Sequence, residues 1–283
     1  MPVHRSELLR PQRPHRAGLL LAAVLSLTFS LTLAARPSPA SADDYDDFPP
    51  RGSAYMGMGV VTHDGVHGLP RKTLAAQTEG VDVSSYQGNV NWSTLWNSGV
   101  KWAYTKGSEG TYYTNPYFAK QYNGSYDAGM IRGAYHFATP DTTSGATQAN
   151  FFVNNGGGWS RDGKTLPGAL DIEWNPYGDT CYGKSPSAMV AWIRDFLNQY
   201  KSRTGRDAVV YTATSWWKQC TGNYSGFAST NPLWIARYAS TVGELPSGWD
   251  FHSMWQYTSS GPTVGDHNKF NGPVDRLKAL ADG

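Results

Sequence analysis

The sequence predicts an α/β protein, an irregular (β/α) barrel with a β-rich last third, and three observations carry that prediction. From Gly80 onward, apolar runs of strand length alternate with segments of helical pattern. Seven such runs fall within about 200 residues, which suits a closed barrel better than an open doubly wound sheet. The late runs are joined by helix-poor links such as "ASTVGELPSGWDFH", residues 239–252, so the closing third reads as plain β.

The strand candidates in chain order are "GVDVS" (80–84), "WAYTKG" (102–107), "IRGAYHFA" (131–138), "GALDIEW" (168–174), "AVVYT" (208–212), "LWIARY" (233–238) and "SMWQY" (253–257). Helical patterns lie between them at 115–130, 144–155 and 185–206. The last opens with Ser185-Pro186-Ser187, a cap followed by proline in the first turn, and stops at Gly205.

The N-terminal end reads differently. Arg5, Arg10, Arg13 and Arg16 precede the apolar run "GLLLAAVLSLTFSLTLAA", and Ala40-Ser41-Ala42 makes a small-x-small site before Asp43, the layout of a secretory signal peptide over residues 1–42. Residues 43–78 show neither helical nor strand period and read as a poorly ordered leader or propeptide. The barrel domain is expected over 79–283.

Five of the 24 basic residues and one of the 22 acidic residues fall within 1–42, so the exported chain carries a net charge of −2. That balance favours neither nucleic acid nor an anionic membrane as partner. Eleven Trp and 17 Tyr against only 16% charged residues suit a neutral polar ligand such as carbohydrate. In an oxidising compartment the two cysteines, Cys181 and Cys220, are expected to form one disulfide tying the loop after residue 174 to a later helix. His63, His67, His136, His252 and His267 have no metal-like spacing, so no metal or other cofactor is expected.

The chemistry concentrates in "LPGALDIEWNP". Side chains two apart on a strand share a face, so Asp171 and Glu173 point together while Leu170 and Ile172 face apolar packing. In a β/α barrel the C-terminal strand ends build the active site, and crowded carboxyls hold one another's protons, as a general acid requires. Asp82 holds a comparable place on the first strand, and Asp266 follows the last strand candidate. Each has a structural alternative: Asp82 as a cap on the Ser84-Ser85 turn, Asp266 as an Asx-turn residue, and the pair as solvent-facing groups on an edge strand.

The ordered set "GVDVSSYQGNVNW", "GAYHFA", "LDIEW", "WIARY", "WQYTSSG" and "GDHNKFNG" resembles the glycoside hydrolase family 25 lysozymes, from about Gly80 to the C-terminus. The resemblance implies a bacterial-type N-acetylmuramidase that cleaves the β-1,4 bond between N-acetylmuramic acid and N-acetylglucosamine in peptidoglycan. It also implies Glu173 as general acid, Asp171 as its partner carboxylate, and Asp82 and Asp266 as the acids of the first and terminal motifs. Ser85-Tyr86 and Gly107-Ser108 depart from commoner family residues, with consequences expected for packing and subsite preference. Tyr104, Tyr135, Phe137, Tyr211, Trp217, Tyr238 and Gln256 are the candidate substrate-binding residues. Tyr135 and Phe137 alternate on one strand as the acids do. Two rivals stand beside this reading, a chitinase-like β-hexosaminidase and a non-catalytic wall-binding module. The expected molecule is a secreted monomer acting on peptidoglycan.

Overall fold

The computed structural model describes residues 48–69 and 76–283; the expected signal segment and its cleavage site lie outside the described residues. The strands are β1 (Thr78–Val83), β2 (Trp102–Glu109), β3 (Tyr113–Thr114), β4 (Ile131–Phe137), β5 (Ala169–Asp171), β6 (Val209–Thr212), β7 (Leu233–Ala236), β8 (Met254–Thr258) and β9 (Asp266–Phe270). They lie in the order β1-β9-β8-β7-β6-β5-β4-β2, and β1 also pairs with β2, so eight strands close into a barrel with β3 as a short hairpin arm on β2. Seven strands run parallel. Of the eight barrel strands β9 alone runs against them, between β8 and β1, and the β3 arm runs antiparallel to β2.

Helices α1 (Val60–His63), α2 (Trp92–Asn97), α3 (Phe118–Asp127), α4 (Gly145–Phe152), α5 (Pro186–Thr204), α6 (Thr214–Thr221) and α7 (Val274–Asp282) complete the fold. In α5 the Ser185 hydroxyl accepts the Ala188 N–H, Pro186 sits in the first turn, and Gly205 ends the helix at φ 74°, as its sequence signals require. No helix separates β7 from β8 or β8 from β9, so the last third is β-rich as the helix-poor links predict.

Register sorts the barrel interior into layers. The neighbouring-strand pairs Trp102↔Ile131, Phe137↔Asp171, Tyr211↔Trp234, Gln256↔Asn268 and Asp82↔Asp266 carry one face of the strands around the circle. The lower layer is an aromatic plug in which Trp102, Tyr104, Tyr211 and Trp234 meet edge-on or tilted at 4.9–6.1 Å. The upper layer is polar and buried, with Asp82, Lys106, Asp171, Gln256, Asp266 and Asn268. The opposite faces carry Val81, Leu170, Val210 and Ile235 outward against the helices, all fully buried.

Two expectations change here. Asp266 is the first residue of β9 rather than part of a loop after the last strand; "DHNKF" looks like a turn because its inward residues Asp266 and Asn268 are polar and serve a polar barrel interior. Residues 48–69, inside the segment expected to be poorly ordered, form turns and helix α1 and pack on the barrel, with Ala54, Met56 and Val60 buried. They lack an apolar period because most of their attachments are made by backbone groups.

Cys181 and Cys220 form the disulfide, closing a loop across 39 residues between the segment after Glu173 and α6. Loop-closure entropy for such a span is worth about 4 kcal/mol. Replacing both cysteines with alanine should lower the melting temperature by roughly 8–16 °C with an unchanged circular dichroism spectrum; a drop below about 3 °C would show that the loop is held by its packing alone.

Candidate active site

At the C-terminal mouth of the barrel the four predicted acids come together. Asp171 ends β5, and Glu173 lies just past the ladder, where the chain turns inward after the Ile172 N–H has bonded to the Tyr211 carbonyl. Both carboxyls are buried. Asp82 and Asp266 stand opposite each other in the β1–β9 register. Asp82 is no turn cap, because Ser84 caps the short helix over Ser85–Gln87.

Gln256 organises the second pair. Its Nε2 donates to Asp82 Oδ2 at 2.9 Å and lies 3.4 Å from Asp266 Oδ2, while its Oε1 accepts from the Tyr211 hydroxyl at 2.7 Å. The Tyr238 hydroxyl lies 3.0 Å from that same Oε1 and 3.3 Å from Asp266 Oδ2, so one proton serves two acceptors. Asn268 completes the chain: its Nδ2 donates to Asp82 Oδ2 at 2.7 Å and its Oδ1 accepts the Trp234 indole N–H at 2.8 Å.

Burial is the main cause of every acid's shift. It pushes Glu173 up to about 8 against the N–H donors it accepts, and Asp82 up to about 7 against Gln256 and Asn268. Asp171 is raised well above the ordinary carboxylate range by burial and then by the charge of Glu173, with Lys106 opposing. Asp266 is raised likewise by burial and by Asp82. Four carboxyls buried in one mouth therefore hold on to protons more tightly than free carboxyls do and titrate as a group. Tyr135, Tyr211 and Tyr238 stay neutral hydroxyls because burial raises them well above their ordinary value.

Lys106, which pattern reading passed over, is the cation of this layer. Its Nζ pairs with Glu109 Oε2 at 2.6 Å, both side chains fully buried, and burial lowers its pKa while Glu109 supports its charge. The Glu109 Oε1 accepts from the hydroxyls of Tyr112 and Tyr177 at 2.7 and 2.6 Å. A lysine inside the otherwise apolar "WAYTKG" was the available signal.

Residues 48–69 lie across this mouth. The Gly57 N–H donates to Glu173 Oε1 at 2.6 Å and the Gly59 N–H to Oε2 at 3.3 Å. The Met56 N–H reaches the Tyr135 hydroxyl oxygen at 3.4 Å, and the Met56 carbonyl lies 3.4 Å from Gln256 Nε2. On one flank the Gly52 N–H donates to Glu109 Oε1, and Lys106 Nζ donates to the carbonyls of Gly52 and Ala54. On the other flank His63 stacks on Trp174 at 4.8 Å and the His67 N–H donates to the Tyr238 carbonyl.

Of the predicted binding residues, Tyr135, Tyr211, Tyr238 and Gln256 face the acids or the crossing segment, and Phe137 backs Lys106 at 5.6 Å. Two lie elsewhere. The Tyr104 hydroxyl donates to the Pro167 carbonyl ahead of β5, at the barrel floor, and Trp217 on α6 packs against Phe227 and Trp249 with its indole N–H on the Tyr224 carbonyl. Both are core aromatics. Among the described residues no cluster of His, Cys, Asp and Glu is arranged to hold a metal ion.

The profile of Glycosyl hydrolases family 25 matches residues 81–266. The chain is 44% identical to Lysozyme M1 of Streptomyces globisporus over 294 aligned positions, covering 100% of this chain and 99% of that protein. It is 47% identical to the N,O-diacetylmuramidase of Chalaropsis over 209 residues, 72% of this chain and 99% of the relative. The crystal structure of the bacterial lysozyme from Streptomyces coelicolor superposes with a TM-score of 0.71 at 48% identity, covering 75% of this chain and 99% of its own.

The raised carboxyls give stability a definite pH dependence. Above about pH 6.5 the native state holds protons on Asp82 and Glu173 that the unfolded chain has already lost, so the free energy of unfolding falls as pH rises through 7 and 8. His136, buried and neutral with its pKa lowered to about 4, acts in the opposite sense only below its unfolded value. Melting temperature should therefore drop by on the order of 5 °C between pH 6.5 and 8.5, and Asp82→Asn or Glu173→Gln should flatten the decline. A flat profile in the parent protein would show that these acids are ionised in the folded state.

Proposed function

The chain belongs to glycosyl hydrolases family 25, and from that premise we propose that it is a lysozyme of the 1,4-β-N-acetylmuramidase type, exported to act on peptidoglycan as a monomer. The observation that carries the reading is Glu173, a buried carboxyl raised to about 8, standing beside Asp171 at the end of β5 in a mouth lined by neutral hydroxyls and an amide. Glycoside hydrolysis needs a carboxyl that still holds a proton at neutral pH and a second group to meet the developing oxocarbenium ion.

In the proposed reaction Glu173 gives its proton to the glycosidic oxygen as the bond from that oxygen to the anomeric carbon breaks. The acetamido oxygen of the N-acetylmuramyl ring closes on the anomeric carbon from the opposite face, with Asp171 accepting the acetamido N–H and balancing the positive charge. Water then opens the ring adduct, its proton returns to Glu173, and the configuration is retained. Asp82 and Asp266 keep Gln256 and Tyr238 oriented toward the sugar, and the Tyr135 and Tyr211 hydroxyls offer hydrogen bonds at its edges. The Lys106 charge opposes the rise of the Asp171 pKa and so favours its carboxylate form.

Export is supported by the basic, apolar and small-x-small layout of residues 1–42 and by the Cys181–Cys220 disulfide. Among the described residues no helix is long and apolar enough to cross a membrane.

Digestion of purified peptidoglycan, followed by borohydride reduction and mass spectrometry, should yield fragments ending in reduced muramic acid. Glu173→Gln should cut the turnover number by about 10³-fold or more while the melting profile stays folded. Ends in reduced glucosamine would instead make the protein a hexosaminidase, and a folded Glu173→Gln enzyme with near-parent turnover would remove Glu173 as the acid.

A further inference from the structure

The segment at residues 48–69 occupies the place that a polysaccharide would need. Three of the groups proposed above to meet substrate are already engaged by it: Glu173 by the N–H groups of Gly57 and Gly59, Tyr135 by the Met56 N–H, and Gln256 by the Met56 carbonyl. With N–H donors of the segment on both oxygens, the Glu173 carboxyl is covered, and a glycosidic oxygen has no open approach to its proton. Two hollows flank the crossing, and each takes part of its wall from it. One is a groove of about 600 Å³ between Tyr55 and the 259–266 loop, and the other a hollow of about 270 Å³ between Asp64, His67 and the start of α6.

The fit is built for backbone. A Cβ on Gly57 would stand 2.3 Å from Gln256 Oε1 and 2.6 Å from the Tyr238 hydroxyl, and Gly57 has φ +84°, which side chains disfavour. A Cβ on Gly59 would stand 2.7 Å from the Trp174 ring and 3.2 Å from Glu173 Oε2. Only a chain without side chains at these two points comes this close to the acid. Met56 and Val60, both fully buried, anchor it on either side of Gly57. The Streptomyces coelicolor structure and the Chalaropsis relative are each 99% covered by 75% and 72% of this chain, a share that leaves room for a segment of this length outside the match.

We propose that residues 48–69 are an intramolecular inhibitor, a strap that competes with peptidoglycan for the cleft and keeps the exported chain latent until it is displaced. The inference rests on the reading of Glu173 as the acid. A tethered competitor acts at high effective concentration, so apparent affinity and rate fall in proportion to the fraction of molecules in which the strap is open. Residues that seat the strap are then expected to restrain activity, the reverse of what residues of an active site do.

The test uses the exported chain from Asp43 with Gly57→Val or Met56→Asp, beside Val66→Ala, an exposed strap position that serves as control. Peptidoglycan clearance should rise at least tenfold in the first two variants and stay at the parent rate in the control. Binding of a soluble GlcNAc-MurNAc tetrasaccharide by calorimetry, in a Glu173→Gln background, should tighten at least tenfold with the same two substitutions. Melting curves identify the folded variants. Folded Gly57→Val and Met56→Asp proteins that bind the saccharide no better than the parent would overturn the strap proposal, whatever their activity. Variants that bind tightly yet leave peptidoglycan uncut would instead support the strap and count against the muramidase reading.

Discussion

Four carboxyl groups packed into one dry barrel mouth are the constraint around which the upper half of this molecule is arranged. Ionised together without compensation, Asp82, Asp171, Glu173 and Asp266 would repel one another in a medium that screens poorly. The fold answers with donors and with retained protons. Gln256 and Asn268 give their amide N–H groups to Asp82, Tyr238 shares its hydroxyl proton with Asp266, and Lys106 sets one positive charge near Asp171. What remains uncompensated appears as carboxyls that keep protons at neutral pH, which is the property an acid catalyst needs. Fold stability and catalytic competence therefore pull against each other at the same atoms.

The departure from a regular barrel serves that arrangement. An eighth parallel strand would enter the circle from the same end as the others. The antiparallel β9 instead begins at the mouth, which puts its first residue, Asp266, directly opposite Asp82. The same reversal removes the need for a crossover helix between β8 and β9, and so the last third of the chain is short on helices. Beneath the polar layer, Trp102, Tyr104 and Trp234 fill the barrel with edge-on rings and give the acids a rigid, water-poor floor.

Much of this was readable wherever a local pattern mirrors a local geometry. Seven strands, the capped helix α5 and the shared face of Asp171 and Glu173 follow from periods of two and 3.6 and from caps that act over four residues. β9 escaped because strand reading depends on apolar residues, and in "DHNKF" the inward side chains of Asp266 and Asn268 point into a polar interior while His267 and Lys269 lie on the other face. Tyr104 and Trp217 were misplaced for the complementary reason. A strand or helix reveals which way an aromatic faces, but not whether it ends at the mouth or at the floor, and the Tyr104 hydroxyl ends on Pro167. Asn268 owes its importance to Asp82, 186 residues away, and Lys106 owes part of its own to the Gly52 and Ala54 carbonyls, 54 and 52 residues away, relations that no window along the chain contains.

The leader shows the same limit in its strongest form. Its lack of period and its glycines and prolines are the ordinary marks of an unstructured segment. Each is also what a backbone ligand for a carboxylate cluster requires. A periodic apolar face would turn peptide groups inward on themselves, whereas "YMGMGVV" leaves the N–H groups of residues 56, 57 and 59 unpaired within the segment and pointed at Tyr135 and Glu173. Side chains at 57 and 59 would hold the chain away from Glu173, and acidic residues would add to the charge already crowded there. The order in this segment is borrowed from the acids it covers, and the acids in turn receive from it two of the donors that let Glu173 remain buried.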